Sequence, residues 1–139
     1  MSSNNAMDKY LKEDSYVDQA ENVIRELSGK TDKRGNRISL VSTSKLRNLL
    51  SMTADIYNEV CNDPSEKLSS EICGRIEYLR IRFVYESGRE PKVRDLVNEA
   101  GILDILKNIN GSRTNFILFS RYMEALVAFR KYYGKDKDE

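Results

Sequence analysis

Interruptions to helix are scarce in this chain. Two prolines and seven glycines among 139 residues leave long stretches in which nothing forbids an α-helix. Apolar residues in those stretches recur at helical spacing, three and four apart. A content of 40% apolar and 32% charged residues is that of a chain that packs a core, not of a disordered one. The length suits one domain with a core of useful size. The predicted fold is an all-α, single-domain bundle of five to six helices over residues 7–134, followed by a charged tail at 135–139. MSSNNA, residues 1–6, resembles a remnant of cloning and is set aside from the fold.

A first helix is expected from about Tyr16 to Leu27. Ser15 and Asp18 supply its capping signal, Val17, Ala20, Ile24 and Leu27 its apolar stripe, and Gly29 its stop. GKTDKRGNRISL then reads as a polar, basic surface loop, either a plain connector or a loop that orders on a partner. STSKLRNLLSMTADIYNEVCN opens with hydroxyl residues suited to capping a second helix, with Leu46, Leu49, Leu50, Ala54, Tyr57, Val60 and Cys61 at core spacing. Lys45 and Arg47 stand in its first turn, where the helix dipole disfavours cations, so these two and the free amides could together hold a phosphate.

After a turn at NDPSEK, a third helix is expected from about Ser69 to Ser87 with Gly88 ending it. Its core stripe is Leu68, Ile72, Ile76, Leu79 and Phe83. Ile81 and Val84 fall outside that stripe, which suggests several neighbours. Two short helices around Gly101 follow, Pro91 lying near the start of the first. That pair resembles a helix-turn-helix, but its would-be reading helix, LDILKNIN, is too apolar to read bases. A last helix from about Arg113 to Tyr133 carries two stripes: Phe116, Phe119, Met123, Leu126 and Val127, then Tyr122, Phe129 and Tyr133. Such a helix is either central in the bundle or part of a subunit interface. Gly134 caps it.

The stretch GRIEYLRIRFVYESGR, residues 74–89, is the distinctive one. At about 100° per residue, Arg75, Tyr78, Arg82, Tyr85 and Arg89 fall within roughly an 80° sector beside the core stripe. That face is either a solvated bundle edge or a surface for something anionic and flat.

Several function classes drop out. The chain contains no histidine, which removes Ser–His and Cys–His nucleophiles, imidazole bases and nearly all zinc-site patterns. No spaced carboxylates stand out on an apolar face, so no enzyme, cofactor or metal is expected. Cys61 and Cys73 lack C-x-x-C spacing and read as reduced cysteines buried on helices. No run of ~18 apolar residues and no secretory leader is evident, so the expected location is cytoplasmic, with no membrane partner. The formal net charge of +1 conceals segregation. Residues 7–29 carry a net −3, residues 30–47 a net +5 and residues 107–133 a net +4. Separate basic stretches in a neutral chain suggest a local anionic partner.

Three blocks carry a family resemblance. FSRYMEALVAFRKYYG at 119–134 resembles the carboxy-terminal signature of the small subunit of type III-A CRISPR effector complexes, the Csm small-subunit family. TSKLRNLLSM at 43–52 resembles that family's amino-terminal helix motif, and YLRIRFVYESGREPKVRDLV at 78–97 its central arginine-rich stretch. The blocks stand in the family's order across most of residues 40–134. The family pattern often ends in a double glycine, whereas here Gly134 is followed by Lys135.

The resemblance implies a non-catalytic helical subunit. Its copies would stack along a ribonucleoprotein, beside other Csm subunits, and contact guide RNA and target RNA through phosphates. The family's basic positions correspond to Lys45, Arg47, Arg82 and Arg89. Arg75, Arg80, Arg121 and Lys131 join them on charge and proximity. RNA already paired to a guide needs no base reading, so binding by such a surface would be salt-dependent and indifferent to sequence. Sequence-specific DNA is not expected as a partner. The alternative is a protein-only helical adaptor or dimerisation module, whose arginines pair with acids such as Glu77 and Glu86.

Overall fold

The computed structural model describes residues 5–30, 33–35 and 40–134. Six α-helices make up this part: α1 (Tyr16–Ser28), α2 (Thr43–Asn62), α3 (Ser70–Arg89), α4 (Pro91–Ala100), α5 (Ile102–Lys107) and α6 (Arg113–Tyr133). No strand occurs among the described residues, only an isolated bridge between Lys67 and Ser112. The all-α bundle expected from the sequence is the observed one.

Serine hydroxyls start the three long helices. Ser42, Ser69 and Ser112 accept from the backbone N–H of Lys45, Ile72 and Asn115 at 3.1, 3.2 and 3.1 Å, each satisfying an amide that the first helical turn leaves free. Ser15 occupies the same place before α1 but makes no side-chain cap. Gly88 does not end α3 as expected: the helix continues to Arg89 and stops at Glu90, which is extended (φ −139°, ψ 117°). The residue before a proline is pushed out of the helical region, so Pro91 both stops α3 and opens α4. Gly101, at φ 68°, makes the left-handed joint between α4 and α5.

The helices close into a ring in which neighbours pack in the order α1–α6–α2–α3–α4–α1, and α5 packs between α3, α4 and α6. The core fills this ring. Phe83 of α3 meets Phe119 of α6 edge to face at 6.4 Å. Tyr122 is fully buried, donates to the Ala100 carbonyl at 2.9 Å, and burial pushes its hydroxyl up to about 12. Both stripes of α6 are explained by its position between α1 and α2, although Phe129 and Tyr133 are only half-buried. No helix among the described residues is long and apolar enough to cross a membrane.

Several sequence expectations are corrected. Val23, not Val17, completes the core stripe of α1, and Val17 is exposed. Ile81 and Val84, expected to meet further neighbours, are exposed among the described residues. Cys61 is exposed and Cys73 half-buried, both free thiols. Asn5, set aside with the cloning remnant, is part of the fold. It caps a 3-10 turn at Ala6–Lys9, and its amide pairs reciprocally with that of Asn115 at 2.9 and 3.1 Å. Residues 31–32 and 36–39 of the basic loop, and the charged tail 135–139, lie outside the described residues.

Two basic residues of the 107–133 stretch are structural. Arg113 donates from Nε to the Asp63 and Val60 carbonyls at 2.9 and 3.2 Å and from Nη2 to the Cys61 carbonyl at 3.4 Å. A cation thereby closes the negative end of α2. Arg113→Met, which keeps the stem and removes the donors, should cost about 2 kcal/mol of stability in a denaturant melt, with Arg113→Lys recovering part of it. The second, Arg130, is fully buried and donates from Nε to the Val41 carbonyl at 2.6 Å.

Candidate nucleic-acid interface

Helix α3 turns one face to solvent along its whole length. Apolar residues at Ile72, Ile76, Leu79 and Phe83 bind it to the bundle. The arginine and tyrosine sector flanks them, and Tyr78 and Tyr85 stand 61% and 52% exposed.

Glu86 organises the basic part of this face. Its angular position lies between the core stripe and the arginine sector, and the residue is buried. The carboxylate accepts from Lys45 Nζ at 2.8 Å through Oε1 and from Arg82 Nη2 at 3.3 Å through Oε2. Arg89 Nη1 stands 3.8 Å from Oε1. Three cations from two helices thus surround one anion, and the cluster keeps a formal charge of +2. Arg82 and Arg89 also lie over the Tyr85 ring, with guanidinium carbons 5.3 and 5.6 Å from its centre. Their side chains remain 40% and 61% exposed, while Lys45 is 24% exposed.

The hydrogen bond from Lys45, with the fields of Lys45, Arg89 and Arg82 behind it, holds the Glu86 carboxyl below its ordinary value of 4.5 against the opposing effect of burial. A depressed carboxylate stabilises the fold above its unfolded pKa, and that contribution is lost as pH falls through the lower folded value. Stability measured by denaturant melts should therefore decline below about pH 4.5 in the wild type. The decline should be shallower in Glu86→Gln, and identical acid limbs would contradict this role.

The other candidate residues are placed as follows. Arg75 pairs with Glu59 of α2 and, with Tyr78 and Arg82, rims a groove of about 490 Å³ between α2 and α3. Met52, Ile56 and Leu79 line its apolar part. Arg80 leaves the far side of the core stripe and pairs with Glu77 at 2.9 Å. Arg47 is exposed but lies about 200° around α2 from Lys45, so the two do not converge on the helix N-terminus. Lys45 turns instead to α3. Arg121 is exposed near Tyr57, where α6 packs on α2, and Lys131 is exposed in the last turn of α6. Lys45, Arg82 and Arg89 are brought together, Arg75 extends their row, and Arg47, Arg80, Arg121 and Lys131 stand apart.

Sequence reasoning treated Glu86 only as a partner for helical ion pairs. Its spacing from Arg82 and Arg89 carried that much, but Lys45, 41 residues away, reaches it only through the packing of α2 on α3.

The model of the type III-A Csm2 family matches residues 21–136, so the likeness extends upstream of residue 40 into α1. Over 126 residues the chain is 44% identical to the CRISPR system Cms protein Csm2 of Mycobacterium tuberculosis (strain CDC 1551 / Oshkosh), covering 90% of this chain and 97% of that protein. Over 124 residues it is 42% identical to the CRISPR system Cms protein Csm2 of Streptococcus thermophilus, covering 89% and 95%. The protein of that name from Enterococcus italicus is 36% identical over 121 residues, covering 82% and 86%. A helical bundle with this basic α3 face, matched over nearly its whole length, belongs to the Csm2 family, the small subunit of type III-A CRISPR complexes.

Proposed function

We propose that this chain is a non-catalytic RNA-holding subunit of its complex, acting in the cytoplasm in antiviral defence. Copies stack along the assembly beside other Csm subunits, and basic helix faces contact the phosphates of guide and target RNA. The observation that carries this reading is the cluster at Glu86, where Lys45, Arg82 and Arg89 leave a net positive edge. Guanidinium suits the task because its planar fork donates in pairs, and a buried acid fixes its position before any ligand arrives. Arg75 continues this edge. Arg47, Arg80, Arg121 and Lys131 are secondary contacts that neighbouring subunits would bring within reach of RNA.

A protein-only adaptor is the second reading, and one observation favours it: Arg75, Arg80, Arg82 and Arg89 each have an acidic partner. The balance of charge at Glu86 argues the other way. One carboxylate does not neutralise three cations, and exposed ion pairs are worth only ~0–1 kcal/mol each.

A salt titration of RNA binding separates the two. If Lys45, Arg82 and Arg89 each neutralise a phosphate, log affinity for a single strand should fall against log salt with a slope of about −2. A slope near zero would contradict the proposal, and recovery of protein partners without RNA would support the adaptor.

A further inference from the structure

Arg75, Tyr78, Arg82, Tyr85 and Arg89 alternate at spacings of three and four along about 21 Å of α3. Neither tyrosine is packed against the bundle, since more than half of each is exposed. The ring of Tyr85 nevertheless has a defined setting, because the guanidiniums of Arg82 and Arg89 lie against it while Glu86 holds both. A base stacks on this ring only in place of one of the two guanidiniums, which the phosphate of the strand then receives, while the other guanidinium keeps the ring in its orientation. Tyr78 lies one interval earlier, between Arg75 and Arg82, on the rim of the α2–α3 groove.

Phosphates alone account for the arginines but not for the rings. In a paired helix the faces of the bases are covered by their neighbours, so an aromatic side chain finds only sugar and phosphate edges. An unpaired base has a free face, and aromatic side chains flanked by cations are the means by which single strands are held without regard to sequence.

We propose that the ladder on α3 engages an unpaired stretch of RNA, with Tyr85 and Tyr78 stacking on bases while Arg75, Arg82 and Arg89 hold the backbone between them. This inference rests on the RNA-holding reading and adds the class of ligand, a single strand. The exposed Ile81 and Val84 beside the ladder favour a different occupant, another protein, and the test includes that outcome.

The test measures binding of the full chain, at low salt, to three labelled probes: an oligouridylate, an abasic ribose-phosphate strand of equal length, and a blunt RNA duplex. The wild type should bind the oligouridylate about tenfold more tightly than the abasic strand. Tyr85→Leu should erase that difference and leave abasic binding and its salt slope unchanged, whereas Tyr85→Phe, which keeps the ring, should preserve it. Equal wild-type affinity for intact and abasic strands would overturn the stacking role and leave phosphate binding standing. So would a Tyr85→Leu variant that weakens both strands alike, or a preference for the duplex. Loss of incorporation into the Csm complex in Tyr85→Leu, with RNA affinity unchanged, would mark the face as a protein-binding surface and overturn the proposal. Failure of the wild type to bind any of the three probes would overturn the RNA-holding reading as well.

Discussion

Arg130→Ala should lower the unfolding free energy by about 3 kcal/mol and the melting temperature by about 10 °C. The residue lies in the last turn of α6, where a cation is ordinarily a solvated complement to the helix dipole. Here the side chain is fully buried and donates to the Val41 carbonyl at 2.6 Å, tying the end of α6 to the segment that leads into α2. Truncation leaves a cavity, removes packing along the stem and deprives a buried carbonyl of its donor. Arg130→Met, which keeps most of the volume, should fall between alanine and wild type. Gly134 provides an independent check on the same feature. Its backbone is ordinary (φ −77°, ψ 153°), so left-handed geometry does not explain the glycine. Close approach does: a Cβ there would lie 1.6 Å from Arg130 Nη1 and 2.6 Å from the Arg130 carbonyl oxygen. Gly134→Ala should destabilise the wild type and cost less once Arg130 is alanine, because the guanidinium clash is then gone. Equal costs in the two backgrounds would mean that this close approach does not hold the C-terminal turn.

The second large effect is on RNA. Reversing charge at both Arg82 and Arg89 should weaken RNA binding about 100-fold and make the single-strand salt slope shallower by about 1.4, roughly 0.7 for each phosphate no longer neutralised. Their side chains are 40% and 61% exposed, so neither helps to fill the core. Lys45 keeps its bond to Glu86 in the variant, and the helical circular-dichroism signal should persist. A reversed charge also stands next to Glu86 and could loosen the end of α3. The double glutamine variant avoids this repulsion and should still bind about tenfold more weakly than the wild type. Unchanged affinity in both variants would remove the α3 face from RNA binding.

Much of the fold was legible because local signals and packing agreed. Ser42, Ser69 and Ser112 stand where the helices begin, and Gly101 marks the α4–α5 joint by its conformation. At Gly88 the signals competed. A glycine inside a helix costs roughly 1 kcal/mol, which a well-packed helix absorbs, whereas the steric restriction imposed by Pro91 is harder to overcome. Ile81 and Val84 show a different limit. Apolar residues outside the main stripe suggest neighbours, but sequence does not say whether those neighbours lie within the chain.

The candidate interface was legible in part for the same reason. Helical geometry alone placed Arg75, Tyr78, Arg82, Tyr85 and Arg89 on one face. The convergence of Lys45 on Glu86 was not readable, since it depends on how α2 packs against α3. Arg113 and Arg130 show the converse error of counting every basic residue as surface charge. Their roles come from carbonyls at 60, 61, 63 and 41, distant in sequence and close only after folding.

Ultraviolet cross-linking within an assembled type III-A complex loaded with guide and target RNA tests the central claim most directly, because it reads RNA proximity to this subunit in place. RNA adducts should map to the α3 peptide containing residues 78–89, with Tyr78 and Tyr85 as the reactive aromatics, and should be depleted when Arg82 and Arg89 are reversed. Adducts confined to other subunits, in a complex that contains this chain and captures target normally, would contradict the account.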